Sequence, residues 1–274
     1  MTLVVAFKCA SEEGEGVVIS SDSRVTAEFG LMATEQKIIP IVLDDNPLAV
    51  AAGAGDTAMV KSAINQAADI LKDRTKEKWK GQPAPTVGDF AQVIEDIQAR
   101  LINHFSNLRN MGIDISMNMI LACVACEGKA ALYVFDNRGL ATPAHDSPGY
   151  VCIGSGFVTG GNLLLRQLYR GTLDVDQGAT LQAYIIDRVS KVDTRVGSFE
   201  GESYYFRIMK GKPVLGQLKE EAFLEYKTKV AEREKLIKSV WEASYVIGPS
   251  ELRKIIEDRL AKIQRKRISK EPTP

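Results

Sequence analysis

Apolar and β-branched residues in the first part of the chain form short runs separated by turn-forming residues, a pattern typical of paired strands. The first run begins at Leu3, directly after Thr2. Because chain ends usually fray, a strand in this place predicts that the residues before it are pinned. The pattern predicts four strands in this region: Leu3–Phe7, Val17–Ser20, Lys37–Val42 and Leu48–Ala52.

Two long segments then carry apolar side chains three to four residues apart, which predicts amphipathic helices after Asp56 and after Thr86. Further strands are predicted at Met117–Cys126, Ala130–Phe135, Tyr150–Ile153 and Ser203–Met209. Two further helices are predicted at Val158–Tyr169 and Gln177–Val192. The order is paired strands, two helices, paired strands, two helices and a strand. It favours antiparallel sheets covered by helix pairs over a doubly wound parallel sheet.

The C-terminal part changes to almost purely charged helical sequence, with two helices predicted at Leu218–Ala243 and Ser250–Arg267. We therefore predict a folded domain over residues 2–213 and a charged helical extension over 214–274. Interleaved Glu and Lys/Arg side chains are typical of solvated helices that pack on a neighbouring subunit. A docking arm for a partner, or a contact of the basic end with nucleic acid or membrane, remain alternatives.

Composition excludes several classes of protein. The 274 residues are 45% hydrophobic, which excludes global disorder, and 35 basic against 35 acidic side chains argue against a dedicated nucleic-acid-binding protein. No apolar run reaches the roughly 18–20 residues of a membrane span. The N-terminal residues lack a basic leader and four cysteines are too few for a disulfide scaffold, so we expect a cytoplasmic protein.

Several motifs carry little chemistry. Cys123 and Cys126 lie three apart in a predicted strand, on opposite faces, and are expected to be small buried residues rather than a metal or redox pair. The two histidines, His104 and His145, give no support to a Ser-His-Asp or metal site. The Gly53–Asp56 turn lacks the third glycine of a dinucleotide site and the lysine of a P-loop. We expect no metal and no cofactor.

The most informative residue is Thr2, whose small side chain permits removal of Met1 by ordinary aminopeptidases. Removal would place a hydroxyl and a free α-amine on the same residue. A threonine hydroxyl needs a base to act as a nucleophile, and an α-amine has an ordinary pKa of about 7.7–8.0. One residue can therefore supply both the nucleophile and its base.

Over about residues 2–210 the chain resembles the proteasome β-type peptidases of the N-terminal nucleophile hydrolase superfamily, as well as simple bacterial and archaeal relatives. The matching stretches are Thr2–Phe7, Gly16–Thr26, Gln36–Ile41, Gly53–Thr57 and Ile153–Gly156. The resemblance implies an α+β fold, a four-layer αββα sandwich, here with a C-terminal helical extension.

The resemblance also implies a set of catalytic residues. Thr2 would be the nucleophile, Lys37 would lower the pKa of its hydroxyl and amine, and Asp22 would position that lysine. Ser155 and Asp193 would hydrogen-bond the α-amine and a bridging water.

The remaining assignments are less direct. The oxyanion donor would be a backbone N–H, that of Ala52 in an alignment without a gap or that of Gly53 with a one-residue gap. Val25 lies near the position where the family lines its first specificity pocket. Val196 stands where the family usually has a serine, which would remove one hydrogen-bond partner of the amine.

The implied function is a threonine-type endopeptidase in a closed homo-oligomeric ring, acting on peptides or unfolded proteins, with a possible ATPase regulator and no nucleic acid or membrane partner. Two alternatives stay open. An acyl-enzyme intercepted by an amine would make the chain a peptide ligase or transpeptidase, and a non-catalytic scaffold subunit would use neither chemistry.

Overall fold

A computed structural model of the chain describes residues 2–23, 25–26, 32–33, 36–199 and 202–268. Two predictions fall wholly or partly outside these residues: Met1, and the side chain of Val25.

The strands of the described residues form two five-stranded antiparallel sheets and a small hairpin. The first sheet has the order β10-β1-β2-β11-β12, the second β5-β6-β7-β8-β9, and β3 pairs with β4. Their bounds are β1 Leu3–Ser11, β2 Gly14–Ser21, β3 Val25–Thr26, β4 Met32–Ala33, β5 Ile38–Leu43, β6 Asn46–Gly55, β7 Met117–Val124, β8 Ala130–Phe135, β9 Ala141–Pro143, β10 Tyr150–Gly154, β11 Ser203–Met209 and β12 Lys212–Gln217.

Within the described part of the chain, six α-helices accompany the sheets: α1 Thr57–Lys78, α2 Val87–Asn110, α3 Gly161–Leu168, α4 Val175–Ser190, α5 Glu220–Ile247 and α6 Pro249–Ile268. Side-chain caps fix several helix starts. Asp56 caps α1, while Thr86 with Asp89 and Asp174 with Gln177 form capping boxes at α2 and α4.

The sheets stack face to face, with α1 and α2 on the second sheet and α3 and α4 on the first. Apolar side chains from both sheets fill the space between them; Val4 and Ile19 of one sheet belong to the same buried cluster as Val50 and Ile120 of the other. Because helices cover the outer faces, strands such as β1 are apolar on both sides. The predicted αββα sandwich is confirmed.

A buried amide ties helix α4 to the two strands that carry Thr2 and Asp22. Gln182 Nε2 donates to the carbonyls of Val5 on β1 and Val18 on β2, at 3.1 and 2.7 Å. Its Oε1 accepts from Ser20 Oγ at 2.5 Å, and Ser20 Oγ lies 2.6 Å from Ser203 Oγ on β11. A satisfied polar network of this kind fixes the relative register of neighbouring strands.

The structure divides into two compact units, residues 1–226 and 227–274. The sequence places its boundary after residue 213, yet the next residues still belong to the first unit. Val214 is within β12, and Tyr226 donates a hydrogen bond to Asp176. The rings of Phe223 and Phe199 pack edge to face, with their centroids 5.1 Å apart. The second unit consists of the rest of α5 together with α6.

Local pattern misses some features. The expectation that Cys126 is buried is wrong: β7 ends at Val124, so Cys126 lies exposed in the following turn while Cys123 is buried. Strands β9 and β12 lack a continuous apolar run because both are partly exposed edge strands.

Candidate active site

Strand pairing sets the position of Thr2 at the start of β1. Leu3 lies opposite Gly154 on β10, and Val4 lies opposite Ser21 on β2. The backbone of Gly154 is so close that a Cβ there would lie 2.0 Å from the Thr2 carbonyl oxygen. Thr2 therefore lies between the ends of two neighbouring strands, where it is 6% exposed.

The carboxylate of Asp22, directly after β2, is the centre of the site. Its Oδ1 accepts hydrogen bonds from Thr2 Oγ1 at 2.6 Å and from the backbone N–H of Leu3 at 2.8 Å. Its Oδ2 accepts from the backbone N–H of Gly197 at 2.7 Å. These donors compensate for the burial of a carboxylate that has almost no solvent contact.

Lys37 completes this arrangement from the other sheet, since it directly precedes β5. Its Nζ donates to Asp22 Oδ1 at 2.6 Å and to the Asp22 carbonyl oxygen at 2.9 Å. Burial lowers the pKa of Lys37 below its usual value, although the charges of Asp22 and Glu202 act in the opposite direction. The Thr2 hydroxyl and the Lys37 ammonium thus meet on one carboxylate oxygen.

Two backbone N–H groups were predicted as alternative oxyanion donors, and the sheet separates them. Gly53 donates to the Lys37 carbonyl at 3.3 Å, so its N–H points toward the β5 side of β6. Successive N–H groups of a strand point to opposite sides, so that of Ala52 points toward Ile120 of β7, its neighbour in the ladder. The N–H of Gly53 is therefore the one on the Lys37 side.

A second cluster surrounds Asp193. Its carboxylate accepts from the backbone N–H and the guanidinium of Arg195, and from Thr159 Oγ1 at 3.0 Å. The Arg195 guanidinium lowers the pKa of Asp193 to about 2. Thr159 Oγ1 also lies 3.4 Å from the Ser155 carbonyl oxygen, whereas the buried Ser155 Oγ has no hydrogen-bond partner among the described residues.

Comparison with known proteins agrees with this architecture. The sequence model described as Proteasome subunit matches residues 2–199. The chain belongs to the proteasome subunit family. Comparison with curated proteins finds no match.

Two solved structures share the fold of this family member. One is Anbu (ancestral beta-subunit) from Yersinia bercovieri, with a TM-score of 0.62 and 16% identity over 87% of this chain and 97% of that one. The other is an Anbu (Gly-1) mutant from Hyphomicrobium sp. strain MC1, with a TM-score of 0.63 and 16% identity over 88% of this chain and 100% of that one.

In this proteasome-family chain the structure brings Thr2, Asp22 and Lys37 together, while Ser155 and Asp193 are linked through Thr159. The catalytic roles of all five stay predictions. The backbone of Val25 lies in β3, opposite Ala33 of β4. Val196 is buried, so an apolar side chain occupies the position where the family usually has a serine.

Sequence reasoning missed four contributors: Gly197, Thr159, Arg195 and Glu202. Gly197 contributes only a backbone N–H, which no side-chain pattern reveals. Arg195 follows Asp193 by two residues, and Arg138 follows Asp136 at the same spacing. In both places the arginine binds the aspartate, so an arginine two residues after an aspartate is a sequence signal for such a local pair.

Within the described residues, no group of His, Cys, Asp or Glu side chains has the arrangement of a metal site. None of the described helices is long and apolar enough to cross a membrane.

Proposed function

We propose that the chain is a threonine-type endopeptidase in which Thr2, freed by removal of Met1, is the nucleophile. Family membership supports a proteasome-like hydrolase, and members of this family typically form oligomeric rings. The observation that carries the proposal is the shared carboxylate oxygen of Asp22, which receives both the Thr2 hydroxyl and the Lys37 ammonium.

The proposed reaction has two steps. Thr2 Oγ1 attacks the substrate carbonyl while its proton passes to the freed α-amine, directly or through a water. Collapse of the tetrahedral intermediate breaks the C–N bond; the proton goes to the leaving amine and an acyl-threonine ester remains. Water then hydrolyses the ester and regenerates the hydroxyl.

Asp22 and Lys37 have distinct roles in this proposal. The Asp22 carboxylate fixes the hydroxyl and the lysine in one geometry, so little reorganisation is needed when the bond forms. The positive charge of Lys37 favours the deprotonated forms of the Thr2 hydroxyl and α-amine.

For the oxyanion we propose the N–H of Gly53 rather than that of Ala52, because it lies on the Lys37 side of β6 whereas the Ala52 N–H faces β7. In this proposal the oxyanion replaces the Lys37 carbonyl, now 3.3 Å away, as the acceptor of the Gly53 N–H. Losing one such donor typically lowers the rate by about 10²–10³. Substitution of Gly53 is a poor test, since a Cβ there would lie 2.1 Å from Val60 Cγ1 of helix α1.

The test is the intact mass of the purified protein before and after reaction with a threonine-directed epoxyketone. We expect a chain that lacks Met1 and gains one inhibitor, with the adduct on Thr2. Thr2→Ala is the matched control and should remain unlabelled and without peptidase activity. A retained methionine, or turnover in Thr2→Ala equal to that of the wild type, would refute the proposal.

We also propose that the substrates are peptides or unfolded proteins, that the copies form a homo-oligomeric ring, and that an ATPase can regulate access. Native mass spectrometry measures the ring. Degradation of an unfolded protein with and without candidate ATPases tests the regulator.

A further inference from the structure

Glu202 connects the two sheets at the point where the candidate site is assembled. It directly precedes β11 of the first sheet, and its carbonyl oxygen accepts a hydrogen bond from the N–H of Ser21 at 2.9 Å. Ser21 is the residue before Asp22. The backbone of Glu202 thus holds the end of β2 that presents the Asp22 carboxylate.

The side chain of Glu202 reaches the second sheet. Its Oε2 accepts from the backbone N–H of Lys37 at 3.0 Å and from that of Ile38 at 2.8 Å. β5 is one of the two edge strands of its sheet. The Ile38 N–H points away from β6, because the bond from Gly53 to the Lys37 carbonyl makes Ile38 and Ala52 a non-hydrogen-bonded pair.

Among the described residues, Lys37 and Tyr204 are titratable neighbours of this carboxylate. Burial raises the pKa of Glu202, while the two backbone N–H groups and the Lys37 charge act in the opposite direction. Burial raises the pKa of Tyr204, and the Glu202 charge adds to this effect. Glu202 thus accepts a hydrogen bond from the backbone N–H of Lys37, whereas the side-chain ammonium of that lysine donates to Asp22.

We infer that Glu202 is a positioning residue for the threonine–lysine chemistry, an inference that rests on the proposed function. It fixes the backbone of Lys37 through two amides and the position of Asp22 through Ser21. Two side chains on different sheets then meet at 2.6 Å. Without the carboxylate, the start of β5 loses both hydrogen bonds and the Lys37 ammonium loses its fixed distance to Asp22.

The test compares three substitutions by kcat, KM and pH–rate profile on a fluorogenic peptide. Glu202→Ala removes both acceptors, and Glu202→Asp keeps the charge but shortens the side chain. For both we expect kcat to fall about tenfold to a hundredfold, with KM changed by less than about threefold. Glu202→Gln retains an oxygen that accepts both amides, so its kcat should stay within about fivefold of the wild type.

The pH profile gives a readout that mere loss of stability would not move. The Glu202 charge raises the pKa of Lys37, so Glu202→Gln should shift the part of the profile that depends on Lys37 to lower pH. Glu13 is the matched control. Its carboxylate also accepts two consecutive backbone N–H groups, those of Lys210 and Gly211, but at the β1–β2 turn, at the opposite end of β1 from Thr2. Glu13→Ala should leave kcat and the profile unchanged.

The outcomes separate the two proposals. If the wild type is labelled at Thr2 and the Glu202→Ala variant has an unchanged kcat, the Glu202 inference fails and the proposed function stands. A Glu202→Gln variant as impaired as Glu202→Ala also overturns the Glu202 inference, since the acceptor geometry is retained. Unlabelled wild type overturns both. If Glu202→Ala does not fold, Glu202→Asp and Glu202→Gln still decide the question, with melting temperatures measured for each.

Discussion

At the scale of single residues, the site concentrates hydrogen bonds on one carboxylate. Asp22 Oδ1 accepts from Thr2, Leu3 and Lys37, and Oδ2 accepts from Gly197. Removing its charge leaves the Lys37 ammonium buried without its main counterion. A buried charge that loses its partner destabilises a protein by about 3–5 kcal/mol.

Asp22→Asn is therefore expected to impair both stability and catalysis. We expect the free energy of unfolding to fall by a few kcal/mol and peptidase kcat to fall by about 10² or more, as chemical denaturation and steady-state kinetics would measure. Asp136→Asn removes a carboxylate of the second sheet that binds a local arginine and serves as the control. Wild-type turnover in Asp22→Asn would contradict the assigned role.

Asp193 gives a prediction about pH. Arg195 lowers its pKa to about 2, below the ordinary value of 3.8, so the carboxylate stabilises the folded state fully above about pH 4. This contribution is lost as the pH falls from 4 toward 2. The Arg195→Ala substitution should raise the pKa of Asp193 in the folded state and lower the free energy of unfolding at pH 7. The variant should therefore unfold at a higher pH than the wild type on acidification.

Urea denaturation at pH 7 and at about pH 2 measures this effect. The difference between wild type and Arg195→Ala should be larger at pH 7 than at the acidic pH. Arg138→Ala removes the same kind of local Arg–Asp pair and is the matched control for turn stability. A difference that grows on acidification would contradict the prediction.

The sequence shows some of these residues and hides others for a physical reason. Thr2, Asp22 and Lys37 lie in short stretches that resemble the family, so they are visible one by one. Glu202 contacts a residue 165 positions away, and Gly197 acts through its backbone. Contacts of this kind depend on how two sheets are stacked, which no local pattern encodes.

At the scale of elements, the junction of β1 and β10 determines where Thr2 lies. Gly154 has φ +95°, in the left-handed region that favours glycine, and its α-carbon lies against the Thr2 carbonyl. Any side chain there must displace the start of β1. Strands β1 and β10 are both predicted from their apolar runs, but this close approach becomes visible only when their register is known.

Gly154→Ala should therefore lower kcat strongly, because it moves Thr2 relative to Asp22. Gly112→Ala is the matched control: Gly112 has φ +78°, and a Cβ there would meet nothing within 4 Å. Both variants place a side chain at a positive φ, but only Gly154→Ala has the clash, and its ψ of −176° adds further strain. Equal kinetics and equal melting temperatures in the two variants would contradict the prediction.

At the scale of the whole molecule, the chain consists of a large unit and a small helical one. Residues 227–274 carry 13 Lys/Arg and 7 Asp/Glu, so the remaining residues carry 22 and 28. The small unit therefore has a net charge of +6 (13 − 7), and the rest of the chain has one of −6 (22 − 28). The division itself was not predictable to the residue, because β12 and the start of α5 pack by contacts of Phe223 and Tyr226 with distant residues.

A chain ending at Ala231 should keep the large unit folded, since the two sheets and helices α1 to α4 lie within residues 1–226. We expect its melting temperature to change by less than about 4 °C, the shift that 1 kcal/mol produces in a domain of this size. Differential scanning calorimetry measures it, with the full chain as reference. Loss of the cooperative transition would show that the small unit is needed for folding.

The bond from the Leu3 N–H to Asp22 has a spectroscopic consequence. Amides near a chain terminus normally exchange their hydrogen with solvent within seconds to minutes, yet this one is fully buried and donates to a carboxylate at 2.8 Å. Its deuterium uptake should be slow in the assembled centre and fast once Asp22 is displaced. A single isotope-exchange signal can therefore report the integrity of the candidate site without any substrate.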